Sequence, residues 1–321
     1  MRFVVGVGIL LAAALGPAIA EECPGHPDAL GTSRVLTISP EEFSRVGGMQ
    51  YKQSLPLADH EVVITFDDGP LPPYSNIVLD TLAAHCVKAT YFLVGTMARA
   101  YPAVARRMFN DGHTIGTHSL DHPLIFQRLG LERVEREVDG GIALVDTAIG
   151  DPKAVAPFFR IPGLGRSAVA ERFLAEHSLV TWSADVVADD WFHHISAQQI
   201  AKRALRRLDA KGRGILLLHD IHPATAMALP SLLKELKSRG YHVVQVVPTG
   251  ERPASVPALA ESADQGGWPR VLKTSVTATV KKKTVLRHHV GKKLAGRHRV
   301  AAVGKRKTPR HTAEKYGPNK I

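Results

Sequence analysis

Val62-Val63-Ile64-Thr65-Phe66-Asp67-Asp68-Gly69-Pro70 is the stretch on which the reading of the fold turns. Five β-branched or aromatic residues in succession, Val62 to Phe66, read as an apolar strand. Two carboxylates stand where it stops, and Gly69-Pro70 turns the chain. Neighbouring side chains on an extended chain point opposite ways, so Asp67 and Asp68 are expected to do two jobs rather than share one. Taken alone, Asp-Asp-Gly is most simply a turn. The case for chemistry comes from the rest of the chain.

Working outward, further short runs of the same kind occur at Ala89 to Val94, Thr114 to Thr117, Pro157 to Arg160, Val180 to Ala184, Ile215 to His219 and His242 to Val247. Between them lie longer amphipathic segments: Asn76 to Ala84, Pro102 to Asn110, Leu131 to Ile149, Ser167 to His177, Ala197 to Leu208 and Ala224 to Arg239. Pro102 suits a first helical turn, and Asp111-Gly112 and Arg239-Gly240 supply stop signals. Such alternation predicts an α/β fold, and a parallel barrel and a doubly wound sheet both satisfy it.

Unusual polar residues fall at the ends of these strands. In parallel α/β folds the strand carboxyl ends face a common cleft, so Asp67-Asp68, His118 and His122, Arg160, the run Asp185 to Asp190, and His219 can meet in one place. His118 and His122 are four apart, which on one helical turn puts both rings on the same side. With Asp68 they make a plausible two-His, one-Asp divalent metal site. His193-His194 and His288-His289 read as surface pairs. His219 ends the apolar run Ile215 to Leu218, as a capped structural residue or as a general acid governed by a carboxylate. Asp190 is the natural partner, with Asp185 and Asp189 as alternatives, and Arg160 offers a planar fork to hold a carboxylate.

With 321 residues, 45% apolar and 22% charged, the chain can bury a core as one large domain and is not collagen-like, coiled-coil or wholly disordered. Two cysteines exclude a disulfide-built miniprotein and a cysteine-rich zinc finger, leaving room for one Cys23–Cys86 bridge against a free buried Cys86. The net charge of +11 is not spread evenly. Residues 270–321 carry 16 Lys+Arg against one acid, +15, whereas residues 1–269 carry 25 against 29, −4. From about Pro253 the sequence is poor in aromatics and self-repelling, so a disordered basic tail is expected over 249–321. It offers contact with an anionic cell-envelope surface, and no nucleic-acid module accompanies it. At the other end, Met1-Arg2, an apolar run from Phe3 to Leu15 and Ala18-Ile19-Ala20 read as a cleaved signal peptide over 1–20. That predicts an exported, secreted or periplasmic protein with no transmembrane span after cleavage.

In order, Thr65-Phe66-Asp67-Asp68-Gly69, His118-Ser119-Leu120-Asp121-His122, Phe159-Arg160-Ile161-Pro162-Gly163, Asp189-Asp190-Trp191 and Ile215-Leu216-Leu217-Leu218-His219-Asp220 resemble the five ordered motifs of the polysaccharide deacetylases, the NodB-homology group or carbohydrate esterase family 4. The resemblance spans about residues 60–248, after an N-terminal extension over 21–59. It implies a distorted (β/α) barrel of about seven parallel strands and metal-dependent removal of acetyl groups from sugars. Carried over by position, it makes Asp67 the catalytic base and Asp68, His118 and His122 the ligands of one divalent ion, zinc, with cobalt or another divalent ion as an alternative. Arg160 would orient Asp67, His219 would be the general acid, and Asp190 would tune it. Leu217 and Trp191 would line the acetyl pocket, and the Gly163 N–H would meet the oxyanion. Two departures stand out: Gly163-Leu164-Gly165 follows Arg160-Ile161-Pro162 where the family commonly has an aromatic before Gly, and the run from Asp185 to Trp191 is longer than the usual spacing.

The expected function is N-deacetylation of N-acetylglucosamine in peptidoglycan, chitin or chitooligosaccharide. O-deacetylation of acetylated xylan or another glycan, and a non-catalytic wall-binding role, are the alternatives.

Overall fold

Alternation along each strand sorts its side chains into two layers. In the computed structural model, which describes Cys23 and residues 26–249, the strands are β1 (Thr32–Ile38), β2 (Arg45–Val46), β3 (Glu61–Asp67), β4 (Thr90–Leu93), β5 (Thr114–Thr117), β6 (Val155–Arg160), β7 (Val180–Trp182), β8 (Val186–Val187), β9 (Gly214–His219) and β10 (His242–Pro248). The helices are α1 (Tyr74–Ala84), α2 (Gly95–Ala100), α3 (Pro102–Asn110), α4 (Leu131–Ile149), α5 (Ala168–Glu176), α6 (Ala197–Lys211) and α7 (Pro223–Ser238). On β3, Val62, Ile64 and Phe66 pack outward against helix residues such as Val78, Leu82 and Leu229. Val63 packs inward with Phe92, Phe158, Trp182 and Ile215. Burying each of these side chains contributes about 1.5–3 kcal/mol, so the two layers fix which face of every strand looks in.

All strand pairs are parallel. The path runs β8-β9-β3-β4-β5-β6-β7-β2, and β10, which carries β1, joins at the start of β3. Only residues 183–185 separate β7 from β8, yet among the described residues these two strands share no ladder, so the ring is open at that seam. This is the distorted barrel that the motifs implied. The seven strands read from the sequence are all present; β1, β2 and β8 are additional, and β1 and β2 come from the region read as an extension. Five expected helices correspond to α1 and α3–α6, the sixth to α7, and α2 was not foreseen.

Cys23 and Cys86 form a disulfide, with Cα atoms 5.7 Å apart and a sequence separation of 63. By loop entropy a closure of that length stabilises the fold by about 4 kcal/mol. Cys86→Ser is therefore expected to lower the unfolding free energy by about that amount, measured in urea, and reduction of the wild-type protein should reproduce it. Equal denaturation midpoints would show that the bridge contributes nothing. The expected signal segment and, beyond Thr249, the expected basic tail lie outside the described residues. Among the described residues no helix is long and apolar enough to cross a membrane.

Candidate active site

The inward layer leads directly to the polar residues. Because Val63 faces inward, period two carries Thr65 and Asp67 to the same face, and the same rule takes Phe158 to Arg160 on β6 and Ile215 to Leu217 and His219 on β9. Asp67 is in register with His219. The apolar interior thus ends, at the strand carboxyl ends, in a base, an acid and a guanidinium.

Asp67 and Arg160 are both buried. Arg160 Nη1 donates to Asp67 Oδ1 at 2.6 Å and lies 2.8 Å from Thr65 Oγ1, while Nη2 donates to the Ser183 carbonyl at 2.9 Å. Its guanidinium carbon lies 4.2 Å from the centre of the Phe92 ring. With four such contacts the guanidinium has little freedom, so it fixes one oxygen of Asp67 and leaves the other to the site. Burial pushes the Asp67 carboxyl above its ordinary pKa, opposed by the charge of Arg160. The result is a carboxylate more basic than one in water.

Asp68, His118 and His122 offer ligand atoms that all lie within 4.8 Å of one another. Asp68 Oδ1 is 3.5 Å from His118 Nε2 and 3.3 Å from His122 Nε2. The helical turn expected between the histidines is not there: residues 118–122 are irregular, with Ser119 at φ 72° and His122 at φ 57°. Two left-handed residues, not helical periodicity, bring the ring centroids to 4.8 Å. Asp68 is itself left-handed, at φ 75°. That breaks the extended alternation and lets Asp67 and Asp68 serve one site, with Asp67 Oδ2 3.7 Å from His118 Nε2.

The donor set fits a divalent cation. His118 Nδ1 is 2.6 Å from the Arg160 carbonyl, which can only accept, so Nδ1 carries the proton and Nε2 presents a lone pair. Burial, with His122 beside it, keeps the His118 pKa well below the usual imidazole value, favouring this neutral ligand form. Asp68 Oδ1 is buried with no hydrogen-bond partner among the described residues. An orphaned carboxylate oxygen facing an imidazole lone pair is costly unless a cation lies between them.

His219 stands opposite. Its Nδ1 is 2.8 Å from Asp190 Oδ1, and its Nε2 is 3.9 Å from Asp68 Oδ2. Asp190 Oδ2 accepts from the His219 backbone N–H and the Thr225 hydroxyl, each at 2.7 Å. Against the cost of burial, the Asp190 hydrogen bond and charge push His219 up to about 9, so its ring is a proton donor at neutral pH. The alternative aspartates are occupied elsewhere. Asp189 pairs with Arg203 and Arg207. Asp185 accepts from Gly48 N, Ser54 Oγ and Ile215 N, and lines a cavity of about 210 Å³ with Lys211 and Arg213 at the start of β9, the end opposite His219.

Trp191 is exposed, and its ring meets His219 edge-on at 5.6 Å. Leu217 is buried one inward step before His219. Gly163 is exposed at φ 61° in a short turn, Pro162–Leu164, after β6, and nothing lies within 4 Å of where its Cβ would be. His193 and His194 are exposed neighbours, as read from the sequence, and His288 and His289 lie outside the described residues. Sequence reasoning missed Thr65, Thr225 and His222, whose ring meets His219 edge-on at 5.7 Å. Thr65 was accessible by period two from Asp67. Thr225 and His222 sit in and before the first turn of α7 and carry no local signal.

The family model for polysaccharide deacetylases matches residues 55–182. The chain is 35% identical over 187 residues to the peptidoglycan-N-acetylglucosamine deacetylase PgdA of Listeria monocytogenes, covering 58% of this chain and only 38% of that relative's length. It is 33% identical over 171 residues to a chitooligosaccharide deacetylase of Azorhizobium caulinodans, covering 52% of this chain and 77% of the relative. Among solved structures, the Bdellovibrio bacteriovorus peptidoglycan deacetylase Bd3279 superposes with a TM-score of 0.62 at 30% identity, covering 71% of this chain and 62% of that one.

Proposed function

The chain belongs to the polysaccharide deacetylase family, and on that premise we propose that it is an exported, metal-dependent hydrolase that removes N-acetyl groups from N-acetylglucosamine-containing glycans, peptidoglycan, chitin or chitooligosaccharide, releasing acetate. One observation carries the reading: the Asp68–His118–His122 group adjoins both the Asp67–Arg160 pair and the His219–Asp190 pair. A base, an acid and a cation site within one cleft are what amide hydrolysis needs.

A divalent ion held by Asp68, His118 and His122, taken as zinc on the family resemblance and compatible with this set of two imidazoles and one carboxylate, would supply Lewis acidity to the acetyl carbonyl and make water more acidic. The protein's own groups do the rest. Asp67, held by Arg160, takes one proton from the attacking water as its oxygen bonds to the carbonyl carbon. By the same resemblance, the Gly163 N–H in the turn after β6 would meet the oxyanion that develops. His219 gives its Nε2 proton to the amide nitrogen as the C–N bond breaks, so an amine rather than an amide anion leaves, and Asp190 stabilises the protonated ring beforehand. Trp191, edge-on to His219, and Leu217, one inward step earlier on the same strand as His219, would wall the acetyl methyl as the resemblance implies. The basic segment after 249 supplies charge for an anionic envelope surface.

The decisive measurement is acetate release from a panel of chitooligosaccharides, peptidoglycan and acetylated xylan, using the purified full-length protein with added zinc or cobalt. Release from the first two is expected. Release from acetylated xylan alone would make the protein an O-acetyl esterase, and metal-dependent glycan binding without release would make it a binding protein.

A further inference from the structure

The loop that carries both histidines has a demanding conformation, and much of it is held by two helices. Two of its residues, Ser119 and His122, adopt left-handed φ values although neither is glycine. Such residues cost of order 1 kcal/mol each and persist where the surroundings over-determine them. The surroundings can be read bond by bond. The Ser119 and Leu120 carbonyls accept from Gly95 N and Thr96 N at the start of α2, at 3.0 and 2.9 Å. The His122 N–H donates to Ser119 Oγ at 3.0 Å. The Leu120 and Asp121 N–H groups both donate, at 3.2 Å, to one oxygen of a side chain on α4: Glu137 Oε2.

On grounds of burial alone, a carboxylate at position 137 is out of place. Its side chain is wholly buried, in a helix whose neighbouring positions Val134 and Val138 are core. Removing a carboxylate from water is expensive. Arg133, one turn earlier, offsets part of that cost, with Nη2 2.6 Å from Glu137 Oε1 and 3.0 Å from Asp121 Oδ2. An apolar residue at 137 would avoid the expense but leave two loop N–H groups without their acceptor. One turn further along α4 the helix backbone meets the loop itself: a Cβ on Gly141 would fall 2.7 Å from the Ser119 carbonyl carbon and 2.8 Å from its oxygen. Helix and loop are therefore in direct contact, and Glu137 is the side chain that binds the segment between the histidines.

We infer that Glu137, charge-paired by Arg133, is a positioning residue that sets the geometry of the His118–His122 loop and thereby the affinity of the Asp68–His118–His122 group for its divalent ion; this rests on the reading of that group as a metal site. Imidazole nitrogens bind zinc at about 2.0–2.1 Å, so a loop displaced by a fraction of an ångström no longer presents both rings correctly. Partners of this outer kind typically change metal affinity by about 10–100-fold.

The test uses full-length protein stripped of metal by chelation. Zinc Kd is measured by competition with a chromophoric chelator, the cobalt(II) absorption spectrum reports ligand geometry, and the metal-free Tm reports folding. Glu137→Ala is expected to raise the zinc Kd by about 10–100-fold and alter the cobalt spectrum. Glu137→Gln retains an oxygen for the two N–H groups while losing the charge facing Arg133, and should recover part of the affinity. A folded Glu137→Ala that binds zinc as tightly as wild type overturns the inference. Should Glu137→Ala not fold, Glu137→Gln decides: a rise in Kd of more than about threefold supports the assignment, and a smaller one overturns it. A wild-type protein that binds neither zinc nor cobalt overturns the metal reading and this inference with it, whereas tight wild-type binding with equally tight variants overturns this inference alone.

Discussion

Asp67→Asn is expected to reduce kcat for acetate release by about 10²–10⁴-fold, the range for loss of a general base, while zinc Kd stays close to that of the wild type. The separation follows from which oxygen does what. Arg160 holds Oδ1 at 2.6 Å, and Oδ2 is turned toward the metal group, 3.7 Å from His118 Nε2. An asparagine can keep its carbonyl oxygen on Arg160, which puts an amide NH₂ where Oδ2 was, and that group cannot take a proton from water. Asp68, His118 and His122 are untouched. The substitution has a structural cost, because Arg160 is left buried with its full charge; breaking such a pair outright costs about 3–5 kcal/mol, and the retained hydrogen bond should keep the loss below that. Tm of the metal-free variant must therefore be measured beside kcat. A folded Asp67→Asn protein that binds zinc and turns over near the wild-type rate would remove Asp67 from the chemistry.

The same strand shows what the sequence made legible and where it stopped. Val62 to Phe66 announced β3 because β-branched residues in succession leave few other options, and the polar residues after β3, β5, β6 and β9 announced a cleft because parallel strands align their carboxyl ends. Asp67, Arg160 and His219 could be named together because each stands where a strand stops; that they share the inward face follows only from the observed layers, by counting in twos from Val63, Phe158 and Ile215. What failed was local backbone conformation. The histidine pair looked helical because four residues is a helical spacing, but the segment folds through left-handed Ser119 and His122, conformations that non-glycine residues rarely advertise. Asp68 is the same case, and its positive φ is what brings it alongside Asp67. Short or partly exposed elements were also missed: β1 is partly exposed along most of its length, β8 is two residues long, and α2 is a six-residue Gly-Thr-Met-Ala-Arg-Ala segment without an apolar period. Glu137 was invisible for a different reason. Its role depends on two backbone N–H groups sixteen and seventeen residues upstream, and acceptors for backbone groups leave no pattern in a sequence.

Removal of the metal ligands should have the largest effect of all, and His122→Ala isolates it better than His118→Ala. His118 is buried and its Nδ1–H satisfies the Arg160 carbonyl at 2.6 Å, so truncating it opens a cavity, orphans that carbonyl and disturbs the residue that holds Asp67. His122 has a partly exposed ring that meets Asp68 at 3.3 Å, so its loss acts on the ligand set with less collateral change. With one of three ligands gone, zinc Kd is expected to rise by more than about 100-fold, beyond the upper figure for an outer partner. Acetate release at a zinc concentration that saturates the wild type should fall to background, as it should for wild-type protein after chelation. Stability supplies an independent readout. A ligand that binds only the folded state stabilises it by about 2.7 kcal/mol at 100 times its Kd, so zinc should raise the wild-type Tm and leave that of His122→Ala unchanged. Were His122→Ala to keep both the zinc-dependent Tm shift and the turnover, Asp68 and the two imidazoles would be an ion-pair cluster under the cleft, and the catalytic cation, if the reaction uses one, would have to be held elsewhere.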